Sequence, residues 1–167
     1  MNIALTTDHA GFEALKQLQA WLEQQGHTCV SFGPIQLDPD DDYPDFMFPA
    51  AQAVSRGAFE RGIIMGGSGQ GEAMAANRFS NVRCALFYGT AVAKMAVDAE
   101  GHTNSDPYEI VRLSREHNDS NVLSLSGRFL TLEEMQTAIT IWLETSFSGV
   151  DRHARRIEKL ANRGSVK

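Results

Sequence analysis

Five short runs rich in β-forming residues recur along the chain, Ile3–Thr6, Thr28–Phe32, Gly62–Met65, Cys84–Phe87 and Asn121–Leu125, and helical patterns or turn formers fill the stretches between them. Most of the runs are continuously apolar rather than alternating, the pattern of strands covered on both faces. Phe12, Leu15, Leu18 and Leu22 recur every three to four residues, as do Leu132, Met135, Ile139 and Trp142, so each set forms an apolar stripe on one helix. Thr131 and Glu134 have the spacing of a capping box for the second. Shorter helical patterns cover Ala73–Asn77, Thr90–Val97 and Tyr108–Glu116. Strands and helices alternating at this length favour a parallel sheet with right-handed crossovers. The expected fold is α/β, a three-layer α/β/α sandwich around a five-stranded parallel sheet. At 167 residues and 43% apolar content, the chain is expected to form a single domain over residues 1–167.

Charge narrows the partners. Residues 1–150 carry 9 basic and 19 acidic side chains, whereas residues 151–167 carry 6 basic and 2 acidic, so most of the surface should repel nucleic acid. The basic end reads either as a solvated helix or tail, or as a binding face. The opening MNIALTTDHAG meets Asp8 and His9 at once, unlike a signal peptide, and no window offers the roughly 18 apolar residues of a membrane span. Cys29 and Cys84 lie in apolar runs without metal-ligand spacing and read as reduced core thiols. The expectation is a cytoplasmic protein with no bound metal, no membrane and no nucleic acid.

In open parallel sheets ligands bind beyond the carboxyl ends of the strands, so the residues just after each run are where chemistry is sought. After the first run come Asp8 and His9; Asp8 could equally cap the following helix. After the third come Gly66-Gly67-Ser68-Gly69-Gln70-Gly71-Glu72, where glycines let a ligand approach the backbone and the next helix start aims free amides at negative charge. The bland alternative is a tight turn. Glu72 stands at that helix start, where the macrodipole is expected to favour its charged form. Arg115-Glu116-His117-Asn118-Asp119 precedes the fifth run and reads as a polar cluster or a surface turn, and Gly127 and Arg128 follow that run. Arg152 and Arg156 share one helix face at i and i+4, and two guanidinium forks make a phosphate clamp. Gly33–Pro44, with three prolines and many aspartates, reads as a surface loop, and so do the turn formers of Asp98–Glu109.

Taken in order, Asp8-His9-Ala10-Gly11-Phe12-Glu13, Asp42-Tyr43-Pro44-Asp45, Gly67-Ser68-Gly69-Gln70-Gly71 with Ala75-Ala76-Asn77, Arg115-Glu116-His117-Asn118-Asp119 and Arg152-His153-Ala154-Arg155-Arg156 resemble the ribose-5-phosphate isomerase B family. That family also contains the galactose-6-phosphate isomerase subunits, and the resemblance covers nearly the whole chain. It implies a Rossmann-like sandwich and a homodimer, sometimes doubled to a tetramer, with active sites at the subunit interface. A C-terminal helix over about 150–163 would reach the partner. By matching motifs, Asp8, His9, Gly67, Gly69, Gln70, Gly71, Asn118, Arg128, Arg152 and Arg156 would contact substrate. Tyr43 would line the pocket and His117 would help open the sugar ring. Many members place a cysteine base just before the glycine loop, where this chain has Gly66. The Gly-Gly-Ser-Gly-x-Gly-Glu pattern instead resembles the mycobacterial branch, in which a glutamate at the position of Glu72 is the base. The 28 residues between Leu86 and Arg115 exceed the segment found in ordinary members, and the extra stretch, His102 included, is expected to be a surface insertion that reshapes the pocket or the dimer edge.

The implied chemistry is aldose–ketose isomerisation of a sugar phosphate, with ribose 5-phosphate first among four-, five- and six-carbon candidates. His117 with Asp8 or His9 would move the ring-opening proton, and Glu72 would carry a proton between carbons 2 and 1. The loop amides and the Ser68 hydroxyl would stabilise the enediolate, with no cofactor. Two other classes compete. A non-catalytic phosphosugar-binding protein would need the nest and the arginines but no base. A dinucleotide oxidoreductase is disfavoured because Ala4–His9 lacks the glycine fingerprint.

Overall fold

The structure is a computed structural model that describes residues 1–162. Its strands are β1 (Asn2–Thr7), β2 (Thr28–Ser31), β3 (Arg61–Gly66), β4 (Cys84–Phe87) and β5 (Val122–Ser126). Its helices are α1 (Phe12–Gln24), α2 (Tyr43–Ser55), α3 (Gln70–Ala76), α4 (Glu109–Glu116), α5 (Leu132–Glu144) and α6 (Asp151–Ala161). All pairings are parallel, in the order β2-β1-β3-β5-β4. The order turns back between β1 and β3, so the crevice at their carboxyl ends is the topological switch point.

Period-two side chains divide the sheet between two cores. Ile3, Leu5, Ile63, Met65, Leu123 and Leu125 point to one face and pack with Leu15, Leu18 and Leu22 of α1, Val111 of α4, and Met135, Ile139 and Trp142 of α5. Ala4, Ile64 and Val122 point to the other and meet Met47, Ala51 and Val54 of α2 with Ala75 and Ala76 of α3. Trp142 is fully buried and satisfies its one donor on Ser120 Oγ at 2.7 Å. The capping box of α5 forms in both directions, with Glu134 N–H donating to Thr131 Oγ1 at 3.2 Å and Thr131 N–H donating to Glu134 Oε2 at 2.8 Å.

The expected sandwich and all five strands are present, and four elements differ from the sequence reading. Tyr43 and Pro44 open α2, a helix the reading did not contain; Pro44 stands in its first turn, where no N–H partner is required, while Pro49 lies inside it. Thr90–Val97 is not helical and belongs to an exposed, turn-rich connection over 88–108 whose ends are tied where Ala91 N–H donates to Pro107 O at 2.9 Å. Glu109, assigned to the surface stretch, is buried and begins α4. The last helix ends at Ala161, and residue 163 lies outside the described residues.

Candidate active site

The carboxyl edge of the sheet gathers residues from four elements around a cavity of about 330 Å³ lined by Asp8, His9, Ala10, Tyr43, Gly67, Ser68, Gly71, Glu72, Arg128 and Phe129. β1 ends at Thr7 and delivers Asp8 and His9; Asp8 Oδ1 accepts from Ala10 N–H at 2.8 Å, so the capping role and the site position coexist. β3 ends at Gly66 and opens the glycine loop. Gly69 sits in the left-handed region at φ 77°, and its carbonyl accepts from Ser124 Oγ at 2.7 Å, which pins the loop to β5. A Cβ on Gly71 would stand 2.9 Å from the Tyr43 hydroxyl, so the loop needs glycine there to admit that ring. Arg128 follows β5 and lays its guanidinium over Gly67. Gly69 and Gln70, expected among the substrate contacts, do not line the cavity; Gln70 N–H donates to Ser68 Oγ at 3.3 Å.

Glu72 is the chemical centre of this edge. The residue is 4% exposed, and its Oε2 has no hydrogen-bond partner. Burial pushes the carboxyl group above the usual carboxylate range and the neighbouring Asp8 charge adds to the rise, while the amides of Glu72 and Gly69 pull it back. The expected macrodipole preference for the charged form is therefore outweighed by desolvation. Part of the amide nest serves the carboxylate itself. The slot that receives Glu72 exists because residue 66 has no side chain: a Cβ built there would fall inside the Glu72 carboxyl group.

His9 is held from behind by a residue the sequence reading did not single out. Asp41 Oδ1 lies 2.7 Å from His9 Nδ1 and accepts from His9 N–H at 3.3 Å, while His9 Nε2 stands 3.5 Å from Arg128 Nη2. The hydrogen bond to Asp41 raises the imidazole above its ordinary value, burial opposes the rise, the charges of Asp8 and Asp41 assist it, and Arg128 opposes it. Asp8, His9 and Asp41 bring potential ligand atoms within 4.8 Å of one another, near enough for a cation. Nδ1 is engaged by Asp41 and Nε2 faces a guanidinium, an arrangement suited to an anion instead.

The remaining expected residues lie at the other end of the sheet. α4 runs antiparallel to the strands, so His117 and Asn118 fall at the amino edge just before β5, where Arg83 Nε donates to Asn118 O at 3.0 Å immediately ahead of β4. The five residues of β5 separate the two edges by about 13 Å. The His117 ring packs on His153 with centroids 4.1 Å apart, and burial followed by that neighbour lowers its pKa. His153 is buried, with Nδ1 3.2 Å from the His117 carbonyl and Nε2 accepting from Arg152 Nε at 3.0 Å. Arg152 also grips Glu100 of the 88–108 connection through Nη1 at 2.9 Å and Nη2 at 3.2 Å, and Arg156 on the same helix is exposed. Asp8, His9, Tyr43, Ser68, Glu72 and Arg128 thus form one group, and His117, Asn118 and Arg152 another. Among the described residues no helix is long and apolar enough to cross a membrane.

A parallel α/β fold that sets a buried carboxyl group, an imidazole and an anion-facing loop at one strand edge defines an enzyme of the proton-transfer class acting on a small anion. The chain belongs to the Ribose/Galactose Isomerase family, which matches residues 3–106 and 103–160. It is 37% identical over 161 residues to ribose-5-phosphate isomerase B of Mycolicibacterium paratuberculosis, covering 96% of this chain and 90% of that protein. Ribose-5-phosphate isomerase B from Mycoplasma genitalium, solved with bound ribulose 5-phosphate, superposes with a TM-score of 0.84 at 32% identity, covering 99% of this chain and 97% of that one. The enzyme of the same name from Clostridium thermocellum gives 0.83 at 30% identity, covering 98% and 97%.

Proposed function

We propose that the chain interconverts ribose 5-phosphate and ribulose 5-phosphate, with Glu72 as the base. The observation that carries this reading is the buried Glu72 carboxyl group, with one unpartnered oxygen and a raised pKa, in the wall of a cavity that also presents Ser68, His9 and Arg128. A carboxylate raised toward neutrality accepts a carbon-bound proton more readily than an ordinary one and returns it as readily.

The furanose first opens as a proton leaves the anomeric hydroxyl and another reaches the ring oxygen, a transfer for which His117 with Asp8 or His9 is suited near neutral pH. Glu72 then takes the proton from carbon 2, leaving an enediolate whose oxygens face the Ser68 hydroxyl and the loop amides not engaged by Glu72. A proton shift between the two oxygens and return of the proton to carbon 1 complete the ketose. Arg152 and Arg156 hold the phosphate.

This reading requires two subunits. His117, Asn118 and the arginines belong to the opposite sheet edge from Glu72, so in an isologous dimer each complete site takes the glycine loop of one subunit and α4 and α6 of the other. Exposed Phe129 and Met74 near the loop, 71% and 70% accessible, and Leu160 on α6, 57% accessible, supply apolar surface for that contact. The test is incubation of the purified protein with four-, five- and six-carbon aldose phosphates, following ketose formation. The reading expects ribose 5-phosphate to turn over fastest, and binding without turnover of any of them would replace it with a phosphosugar sensor.

A further inference from the structure

The 88–108 connection sends one carboxylate onto an arginine that the proposed function assigns to the substrate phosphate. A guanidinium offers an anion two forks, end-on through Nη1 and Nη2 and side-on through Nε. Both forks of Arg152 are engaged. Nη1 and Nη2 donate to the two carboxylate oxygens of Glu100 at 2.9 and 3.2 Å, and Nε donates to His153 Nε2 at 3.0 Å. The contact with His153 is built into the fold, because that ring is 2% exposed and its other nitrogen lies 3.2 Å from the His117 carbonyl. The Glu100 side chain is 54% exposed, so it is the partner that can leave the guanidinium.

The turn that carries Glu100 is shaped by its own residues. Asp98 Oδ1 accepts from the N–H groups of Glu100 and His102, both at 3.0 Å, and Asp98 Oδ2 pairs with the His102 ring. Val97 N–H donates to His102 O at 2.8 Å, and Gly101 turns the chain in the left-handed region at φ 88°. None of these bonds involves Arg152, so the turn can present Glu100 to the guanidinium or release it without being rebuilt. We propose that Glu100 is an internal competitor of the substrate phosphate: the carboxylate and the phosphate bind the same fork of Arg152, and a ligand gains that fork by displacing Glu100. An exposed ion pair is weak, so giving it up weakens phosphate binding by roughly fivefold at most. A phosphate dianion recovers that loss in charge-assisted hydrogen bonds to the same guanidinium. On release of the ligand, Glu100 closes the fork again, and the residue thereby sets how tightly the site holds phosphate.

The inference rests on Arg152 holding the substrate phosphate, and a double-mutant cycle separates the two claims. Inorganic phosphate is the probe. Its dissociation constant is measured by calorimetry, at one pH and low ionic strength because salt screens the pair, on wild type, Glu100→Gln, Arg152→Ala and the double variant. Glutamine keeps the shape of the side chain and removes its charge, and the exposed position leaves folding intact, which thermal unfolding of each variant checks. Glu100→Gln is expected to bind phosphate about fivefold more tightly than wild type, and the gain is expected to vanish when residue 152 is alanine. Unchanged or weaker binding in Glu100→Gln overturns the competition, the weaker case assigning Glu100 to holding the arginine in place for phosphate. A gain that persists in the Arg152→Ala background also overturns it, because the effect is then the removal of a distant negative charge. If Arg152→Ala leaves phosphate binding untouched, the phosphate clamp itself falls and the competition falls with it. If Arg152→Ala weakens binding while Glu100→Gln does not strengthen it, the clamp stands and the competition alone is lost. Because phosphate binding is read directly, absence of turnover with every aldose phosphate leaves the result standing.

Discussion

Glu72 joins two demands that conflict, burial to raise a carboxyl pKa and ionisation to act as a base. Glu72→Gln is expected to lower kcat at least a hundredfold with little change in substrate affinity, since a positioned base contributes about 10²–10⁴-fold; near-normal turnover excludes Glu72 as the base. The same residue fixes a stability prediction. Its folded pKa is raised, so its contribution is full below the unfolded value of about 4.3 and is lost as pH rises through the folded value. Melting temperatures of wild type and Glu72→Gln should therefore agree near pH 4 and separate toward neutrality, with the glutamine variant the more stable. Gly66 is the counterpart of Glu72. Gly66→Ala is expected to cost activity comparably to Glu72→Gln, because its methyl group occupies the carboxyl position, and Gly66→Cys should be rescued by no thiol chemistry while Glu72 contests the same space. Glu72 was legible in the sequence because a glycine loop and a carboxylate leave a mark in the motif. The role of Gly66 was not, since a missing side chain signals only flexibility, and Asp41 was hidden because its partner lies 32 residues away and its prolines and neighbouring aspartates spell only a turn.

The strands and the two long amphipathic helices were readable because continuous apolar runs and three-to-four spacing follow directly from two-sided and one-sided burial. α2 escaped because Pro44 and Pro49 punctuate it, although Met47, Ala51 and Val54 carry its buried stripe. The Thr90–Val97 pattern failed in the opposite sense: its alanines and valines have helical spacing, yet none of them joins either core and the stretch stays in the turn-rich connection. α5 offers a clean test of local energetics, because its cap forms in both directions. Thr131→Ala should lower the unfolding free energy by about 1 kcal/mol, measured by denaturant titration, and a change near zero would mean the helix end is held by tertiary packing alone. The 88–108 connection closes on itself through Ala91 and Pro107, so replacing residues 92–105 with a short glycine link should leave unfolding cooperative. It should change KM, because Glu100 no longer occupies the Arg152 guanidinium. Loss of folding would show the stretch to be structural, and an unchanged KM would show that the Glu100 contact does not bear on substrate.

At the level of the whole molecule, the sequence motifs named most of the candidate site, Asp41 apart, and the family resemblance implied a site at a subunit interface without the physical reason for it. Chain order places Arg115–Asp119 between the glycine loop and the arginines. Only the topology reveals that α4 descends to the amino edge while Glu72 stands at the carboxyl edge, separated by the length of β5. The account's central claim is therefore that catalysis is shared between subunits, with the loop and base from one and His117, Asn118 and the arginines from the other. Subunit mixing tests it most directly. Glu72→Gln protein and His117→Ala protein, each inactive alone, are mixed in equal amounts under conditions where exchange is verified with a mass-tagged subunit. If the site is shared, half the dimers are mixed and each holds one site with both defects and one with neither, so activity should return to about a quarter of the wild-type value. Verified exchange with no return of activity would contradict the claim and place the whole reaction within a single chain.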